Sequence, residues 1–179
     1  ALDGPWPDLV LLAHQSNENV ARWIRRQSGG KTRLVLIGRP WASADAFDLV
    51  VTTPQYDLPE AENILHNALP LHLVAPDRLS TAAAQWEPRL AHLPRPFVTV
   101  LVGGSSGPYV FDAAAAARLG REASALAQSL GGSVLVTTSA RTPAASVDAL
   151  FAAIDAPACL HRWARDDSEN PYFGFVALA

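Results

Sequence analysis

Between Phe97 and Asp112 the chain has the sequence FVTVLVGGSSGPYVFD. Its first six residues are apolar or β-branched, the pattern of a strand buried on both faces of a parallel sheet. A glycine- and serine-rich segment follows, and an alanine-rich segment from about Asp112 to Leu130 predicts a long helix. Many α/β proteins bind phosphates with a strand, a glycine-rich loop and a helix, since glycine lets the backbone approach a ligand and free N–H groups attract anions. We therefore predict a nucleotide or phosphate site in this loop.

The same alternation of apolar strands and amphipathic helices extends over the whole chain. Strands are predicted at residues 9–13, 33–37, 47–52, near 64–65, and at 97–102, 133–137 and 158–163, with helices after Asn17, over 78–93, 112–130 and 145–154, and after Asn170. Pro94-Arg95-Pro96 interrupts the pattern, because proline removes a backbone donor and restricts its neighbour. The predicted fold class is α/β, with two Rossmann-like parallel-sheet domains at 1–94 and 95–179 that face each other across a cleft.

Composition excludes several classes of protein. A net charge of −3 with 17% charged residues argues against nucleic-acid binding. No apolar run approaches the roughly 20 residues of a membrane span, and no signal peptide is recognisable. Cys159 is the single cysteine, so no internal disulfide can form and a reducing compartment is expected. The expected location is cytoplasmic, with peripheral membrane association kept open, and the histidine spacing predicts no metal site.

The glycine-rich loop matches one of three motifs known from similar loops. It has no lysine, which argues against a P-loop, and its glycines do not match G-x-G-x-x-G. It does match G-x-S-x-G, the nucleophile motif of serine hydrolases, and Asp148 and His161 follow Ser105 in the order typical of α/β-hydrolases. Against that alternative, residues 108–111 delay the helix that should begin directly after the serine.

A resemblance to known families favours a sugar-nucleotide site instead. Residues 100–107 resemble the strand and loop that open the C-terminal domain of MurG-type GT-B glycosyltransferases. Nearly the whole chain resembles the mitochondrial fission ELM family and its bacterial relatives, through VARWIRRQSGG (20–30), GRP (38–40), FDLVVTTPQY (47–56), LVGGSSGPY (101–109), VTTSARTP (136–143) and ENPY (169–172).

The resemblance implies a GT-B-like fold and a glycosyltransferase-type activity with unknown sugar and acceptor. Bacterial members often carry the label nucleoside-diphosphate-sugar epimerase. The nucleoside-diphosphate sugar would be a substrate, and no cofactor is expected. The resemblance also implies further segments before and after these 179 residues. From another functional class, a non-catalytic ELM-family scaffold with a vestigial nucleotide pocket is kept as an alternative.

The candidate nucleotide-binding residues follow the strands of the second half. The loop supplies backbone and hydroxyl groups to a pyrophosphate, from Gly103, Gly104, Ser105, Ser106, Gly107 and Tyr109. The next strand is followed by Thr138, Ser139, Arg141 and Thr142, where the arginine could pair with a phosphate. The last group, assigned to a base or sugar, is Glu169, Asn170 and Tyr172. The structural alternatives are a tight turn, a solvated arginine, and a helix capped by Asn170.

In the first half, three polar residues follow strands and are assigned to the acceptor or sugar. They are His14, Asn17 and Arg39. His14 is the candidate catalytic base, because its ordinary pKa near 6.5 permits proton transfer at neutral pH.

Overall fold

The computed structural model describes residues 3–179, which form two compact units that divide between His72 and Leu73. The proline-rich segment predicted a division after Pro94. The helix before that segment belongs instead to the second unit, because its Trp86 packs edge-on against Phe175, with ring centroids 5.7 Å apart. A proline break therefore interrupts secondary structure here without separating the units.

The first unit contains a four-stranded parallel sheet in the order β1-β2-β3-β4. Its elements are β1 (Leu9–Leu12), α1 (Glu18–Gln27), β2 (Arg33–Ile37), β3 (Leu49–Thr52) and β4 (Ile64–His66). Leu34, Leu36 and Val50 are fully buried at its centre. Because all four strands run the same way, the residues that follow them meet at one edge of the sheet.

Two carboxylates link separate segments of this unit through hydrogen bonds and ion pairs. Glu18, at the start of α1, is buried and accepts hydrogen bonds from the backbone N–H groups of Trp41 (2.7 Å) and Ala42 (3.0 Å). Asp48 accepts from the Leu34 N–H at 2.8 Å and lies beside two arginines, Arg33 (2.6 Å) and Arg25 (3.3 Å).

The pKa of Asp48 reflects opposing effects. Burial of the carboxylate raises this pKa, but the Leu34 N–H and the guanidinium groups of Arg33 and Arg25 together outweigh burial. The pKa of Asp48 therefore lies below its ordinary value, so the ionised form stabilises the folded unit.

The second unit contains a three-stranded parallel sheet in the order β5-β6-β7. Its elements are α2 (Pro76–Leu90), β5 (Phe97–Leu101), α3 (Ala113–Ser129), β6 (Ser133–Thr137), α4 (Ala144–Ala152), β7 (Ala158–His161) and α5 (Tyr172–Leu178). All five residues of the central strand β6 are buried, as its unbroken apolar pattern predicts.

Close helix packing covers this sheet. Gly120 of α3 leaves room for α4, since a Cβ there would lie 2.7 Å from the Leu150 carbonyl oxygen. Gly174 of α5 does the same for Trp86 of α2. The α/β class with two parallel, Rossmann-like sheets is confirmed. No helix within residues 3–179 combines the length and the apolar character needed to cross a membrane.

Candidate functional site

The glycine-rich loop after β5 is a small structured hairpin. The Val102 N–H donates to the Thr137 carbonyl, which continues the sheet by one residue. Ser106 and Tyr109 then exchange two backbone hydrogen bonds of 3.0 and 3.1 Å around Gly107, whose φ of +56° suits glycine. The Ser105 hydroxyl accepts from the Phe111 N–H at 2.9 Å. The amides of residues 106, 109 and 111 are therefore satisfied within the loop.

The three backbone amides that precede Ser106 differ from these in their hydrogen bonding. Within the described residues, the N–H groups of Gly103, Gly104 and Ser105 donate to no protein acceptor. Gly103 and Gly104 are half-buried and Ser105 is exposed, so a ligand can reach them from the surface. Runs of free backbone N–H groups are typical of anion-binding loops.

Gly104 packs against the neighbouring loop that follows β6. A Cβ at Gly104 would lie 2.1 Å from the carbonyl oxygen of Arg141, far inside van der Waals contact. The Thr142 hydroxyl fixes the same contact by donating to the Gly103 carbonyl at 2.7 Å. The sequence assigned Gly104 to a pyrophosphate, but its lack of a side chain is required by the neighbouring backbone.

The guanidinium of Arg141 lies over Gly103. Its Nη2 atom is 3.3 Å from the position that a Cβ at Gly103 would occupy. Arg141 is exposed and forms no ion pair with any acidic group in the part of the chain that the structure describes. An arginine without an acidic partner beside free backbone donors is suited to a phosphate or carboxylate.

Gly103 and Arg141 belong to a recess of about 200 Å³ at the carboxyl ends of β5 and β6. It is lined by Leu101, Val102, Gly103, Thr137, Thr138, Ser139, Arg141 and Tyr172. Leu101 and Thr137 were not among the predicted site residues. Their position as the last residues of two adjacent parallel strands was a usable signal, since ligands of such sheets bind at that edge.

The predicted hydroxyl groups in the loop after β6 form hydrogen bonds within the protein. The Thr138 hydroxyl accepts from the Trp163 N–H at 2.9 Å. The Ser139 hydroxyl lies 3.3 Å from that of Thr142 and accepts from the Arg141 N–H at 3.3 Å. These contacts position Arg141 and leave less hydrogen-bonding capacity for a ligand.

In the predicted 169–172 segment, two of the assigned residues make structural contacts and the third lines the recess. Glu169 forms a two-pronged ion pair with Arg89 of α2, with distances of 3.2 and 3.3 Å. Asn170 accepts from the Tyr172 N–H at 3.0 Å and so begins helix α5. Of the three predicted residues, only Tyr172 lines the recess.

Helix α3 does not begin at the glycine-rich loop. Its first residue is Ala113, and the carboxylate of Asp112 accepts from the Ala115 N–H at 2.8 Å. An acidic cap occupies one of the free donors and offsets the positive potential of a helix N-terminus. The anion-binding capacity here therefore resides in the loop amides and Arg141.

The arrangement expected of a serine hydrolase is not formed. Asp148 pairs with Arg162, and the Nε2 atom of His161 lies 2.7 Å from Oδ2 of Asp167. Ser105 is separated from the first residue of α3 by seven residues, so it is not on the sharp strand-to-helix turn of such enzymes. The His161–Asp167 pair was not predicted, because nothing in their spacing marks it.

In the first unit, His14 and Asn17 follow β1 and line a cavity of about 380 Å³. His14 is exposed, and its Nδ1 atom accepts from the Ser16 N–H at 3.2 Å, which caps a short 3-10 turn. Arg39 is exposed after Gly38 at the end of β2. Within residues 3–179, no three His, Cys, Asp or Glu side chains are grouped so that they could hold a metal ion.

Comparison with known proteins identifies the family. The family model described as Mitochondrial fission ELM1 matches residues 1–179. The curated protein named Mitochondrial fission protein ELM1 from Arabidopsis thaliana is 26% identical over 200 residues, covering 98% of this chain. The chain spans 45% of that relative's length. No solved structure matches the chain significantly. Because the family model covers its full length, the chain belongs to the mitochondrial fission ELM1 family.

Proposed function

We propose that the second unit binds the diphosphate of a nucleotide sugar, as part of a GT-B-like, glycosyltransferase-type protein of the ELM1 family. The observation that carries this proposal is the guanidinium of Arg141 above Gly103, next to three free loop amides and without an acidic partner among residues 3–179. An arginine fork and adjacent N–H groups together match the several oxygens of a diphosphate.

This arrangement suits the transfer of a sugar because its donors can stabilise the diphosphate that leaves. When a sugar leaves its nucleotide, negative charge develops on the diphosphate, and fixed donors stabilise that charge in the transition state. In this proposal Arg141 and the amides of Gly103, Gly104 and Ser105 have that role, while Tyr172 contacts the base or sugar. A general base must also remove the acceptor's proton, and His14 is the residue we assign to that step.

The alternative is a non-catalytic scaffold with a vestigial nucleotide pocket. Two observations favour it: Glu169 and Asn170 are occupied by structural contacts, and the similar Arabidopsis protein is named for mitochondrial fission. Both proposals predict the same fold, and ligand binding separates them.

The decisive experiment is a thermal-shift series with UDP-, GDP-, ADP- and CMP-sugars and with inorganic pyrophosphate. Binding to the folded state raises Tm in a saturable way. Arg141→Gln should weaken binding by roughly 10- to 100-fold, since hydrogen bonds to charged groups contribute about 1.5–3 kcal/mol. Arg121→Gln is the matched control, because Arg121 is an exposed arginine of α3 and the charge change is identical.

Each outcome has a definite meaning. A saturable shift that Arg141→Gln removes and Arg121→Gln retains supports the nucleotide-sugar proposal. Absence of a shift with every ligand, or equal weakening by both variants, refutes it and favours the scaffold.

A further inference from the structure

The first unit contains a separate cavity of about 310 Å³ at the carboxyl edge of its sheet. Its lining includes Ala13, Ile37, Thr52, Thr53, Gln55 and Asn67. These residues come from the ends of all four parallel strands and the segments that follow them. Its volume lies at the lower end of the roughly 300–1,000 Å³ typical of small-molecule sites.

Two threonines that line this cavity have buried hydroxyls without a partner among the described residues. Thr52 is 1% exposed and Thr53 is 8% exposed, yet neither Oγ1 atom has a hydrogen-bond partner among the described residues. A buried polar group without a partner costs about 1–3 kcal/mol, and most such groups in native proteins are hydrogen-bonded. Because both threonines line the cavity, a ligand that reaches these hydroxyls could supply the missing partners.

The remaining lining defines the chemistry of that ligand. Among the residues that the structure describes, no Asp, Glu, Lys, Arg or His lines the cavity, so a charged ligand group would meet no compensating charge there. Gln55 and Asn67 are amide residues able to donate and accept, and Tyr56 contributes an aromatic ring that lies next to Gly38. Hydroxyl and amide groups around an aromatic ring match a neutral ring with several hydroxyls and an apolar face.

We propose that this cavity binds an uncharged, hydroxylated ring, either a monosaccharide or the ribose of a nucleoside. Thr52 and Thr53 hydrogen-bond the ring hydroxyls, and Tyr56 packs against its apolar face. None of these residues was predicted from the sequence as a site residue. The inference rests on the first unit alone and does not depend on the diphosphate site proposed for the second.

Titration of the 15N-labelled chain, followed by NMR, tests the proposal with neutral monosaccharides, nucleosides and inorganic pyrophosphate. We expect saturable shifts at residues 52–56 and 67–71 with at least one neutral ligand. The monosaccharide and nucleoside arms identify the source of the ring. Thr53→Val should raise Kd by about 2- to 10-fold, the equivalent of one neutral hydrogen bond.

Variant stability separates a binding role from a structural one. Thr52→Val and Thr53→Val should leave Tm unchanged or raise it, because each removes an unsatisfied hydroxyl while preserving shape. Thr32→Val is the matched control: Thr32 is fully buried, and its hydroxyl donates to the Pro7 carbonyl at 2.7 Å. It should lower Tm and leave the affinity unchanged.

The proposal is refuted if no neutral ligand shifts these resonances, or if Thr52→Val and Thr53→Val bind as tightly as the wild type. The pyrophosphate arm reports on the second unit. It can fail while the neutral ligands bind, or succeed while they do not, so the two proposals are tested independently.

Discussion

Replacing Gly104 with alanine should destabilise the second unit more than its small size suggests. The added Cβ would lie 2.1 Å from the Arg141 carbonyl oxygen, 2.8 Å from the carbonyl carbon and 3.0 Å from Cβ of the same residue. The first two atoms belong to the backbone, so no side-chain rotation can relieve the overlap. The two loops must move apart by roughly 1 Å to restore ordinary contact.

That movement has a second cost. The hydrogen bond from the Thr142 hydroxyl to the Gly103 carbonyl, now 2.7 Å, would lengthen beyond hydrogen-bond range. Overpacking costs about 1–3 kcal/mol, and losing a neutral hydrogen bond costs about 0.5–1.5 kcal/mol. We therefore expect the free energy of unfolding to fall by roughly 2–4 kcal/mol, with Tm lower by about 4–16 °C for a chain of this size.

Gly103→Ala is the neighbouring control. A Cβ at Gly103 would meet only the Arg141 guanidinium, at 3.3 Å, and the end of a flexible side chain can shift. Its φ is not in the left-handed region, so alanine should be nearly neutral or slightly stabilising through the unfolded state. The same change displaces the guanidinium and should weaken any diphosphate binding.

Urea denaturation followed by circular dichroism measures both variants against the wild type. A change of less than about 0.5 kcal/mol in the free energy of unfolding of Gly104→Ala, or an equal loss in Gly103→Ala, would refute the predicted clash. Either result would mean that the contact between the two loops does not determine which residue is tolerated.

Two further predictions concern the hydrogen-bonded carboxylates of the first unit. Because the pKa of Asp48 is lowered, its ionised form stabilises the fold above the unfolded-state pKa near 3.9 and loses that effect as pH falls through the folded-state value. Asp48→Asn should therefore cost about 1–3 kcal/mol at pH 7 in urea denaturation, with the difference from wild type shrinking below about pH 4; a gap independent of pH would contradict this. Glu18→Ala leaves the N–H groups of Trp41 and Ala42 unpaired and should cost about 2–5 kcal/mol, whereas Glu18→Gln retains one acceptor oxygen and should cost less. Equal losses in the two Glu18 variants would show that packing, and not hydrogen bonding, is responsible.

The sequence alone determined the secondary structure and the fold class. The apolar run predicted at 97–102 is β5 over Phe97–Leu101, and the one at 133–137 is β6 with the same bounds. The helix predicted at 112–130 is α3 over Ala113–Ser129. These predictions succeed because the spacing of apolar residues within a short segment is enough to indicate a helix or a strand.

The tertiary structure alone decided which residues are available to a ligand. Glu169 looked like a ligand-binding residue until the packing of α5 on α2 brought it to Arg89, 80 positions away. The carbonyl of Arg141 occupies the space beside Gly104, so this predicted site residue offers a ligand only its backbone. The buried hydroxyls of Thr52 and Thr53 gave no sequence signal, since threonine is common at the end of a strand. Partners distant in sequence are set by how strands and helices pack, and no local pattern contains that information.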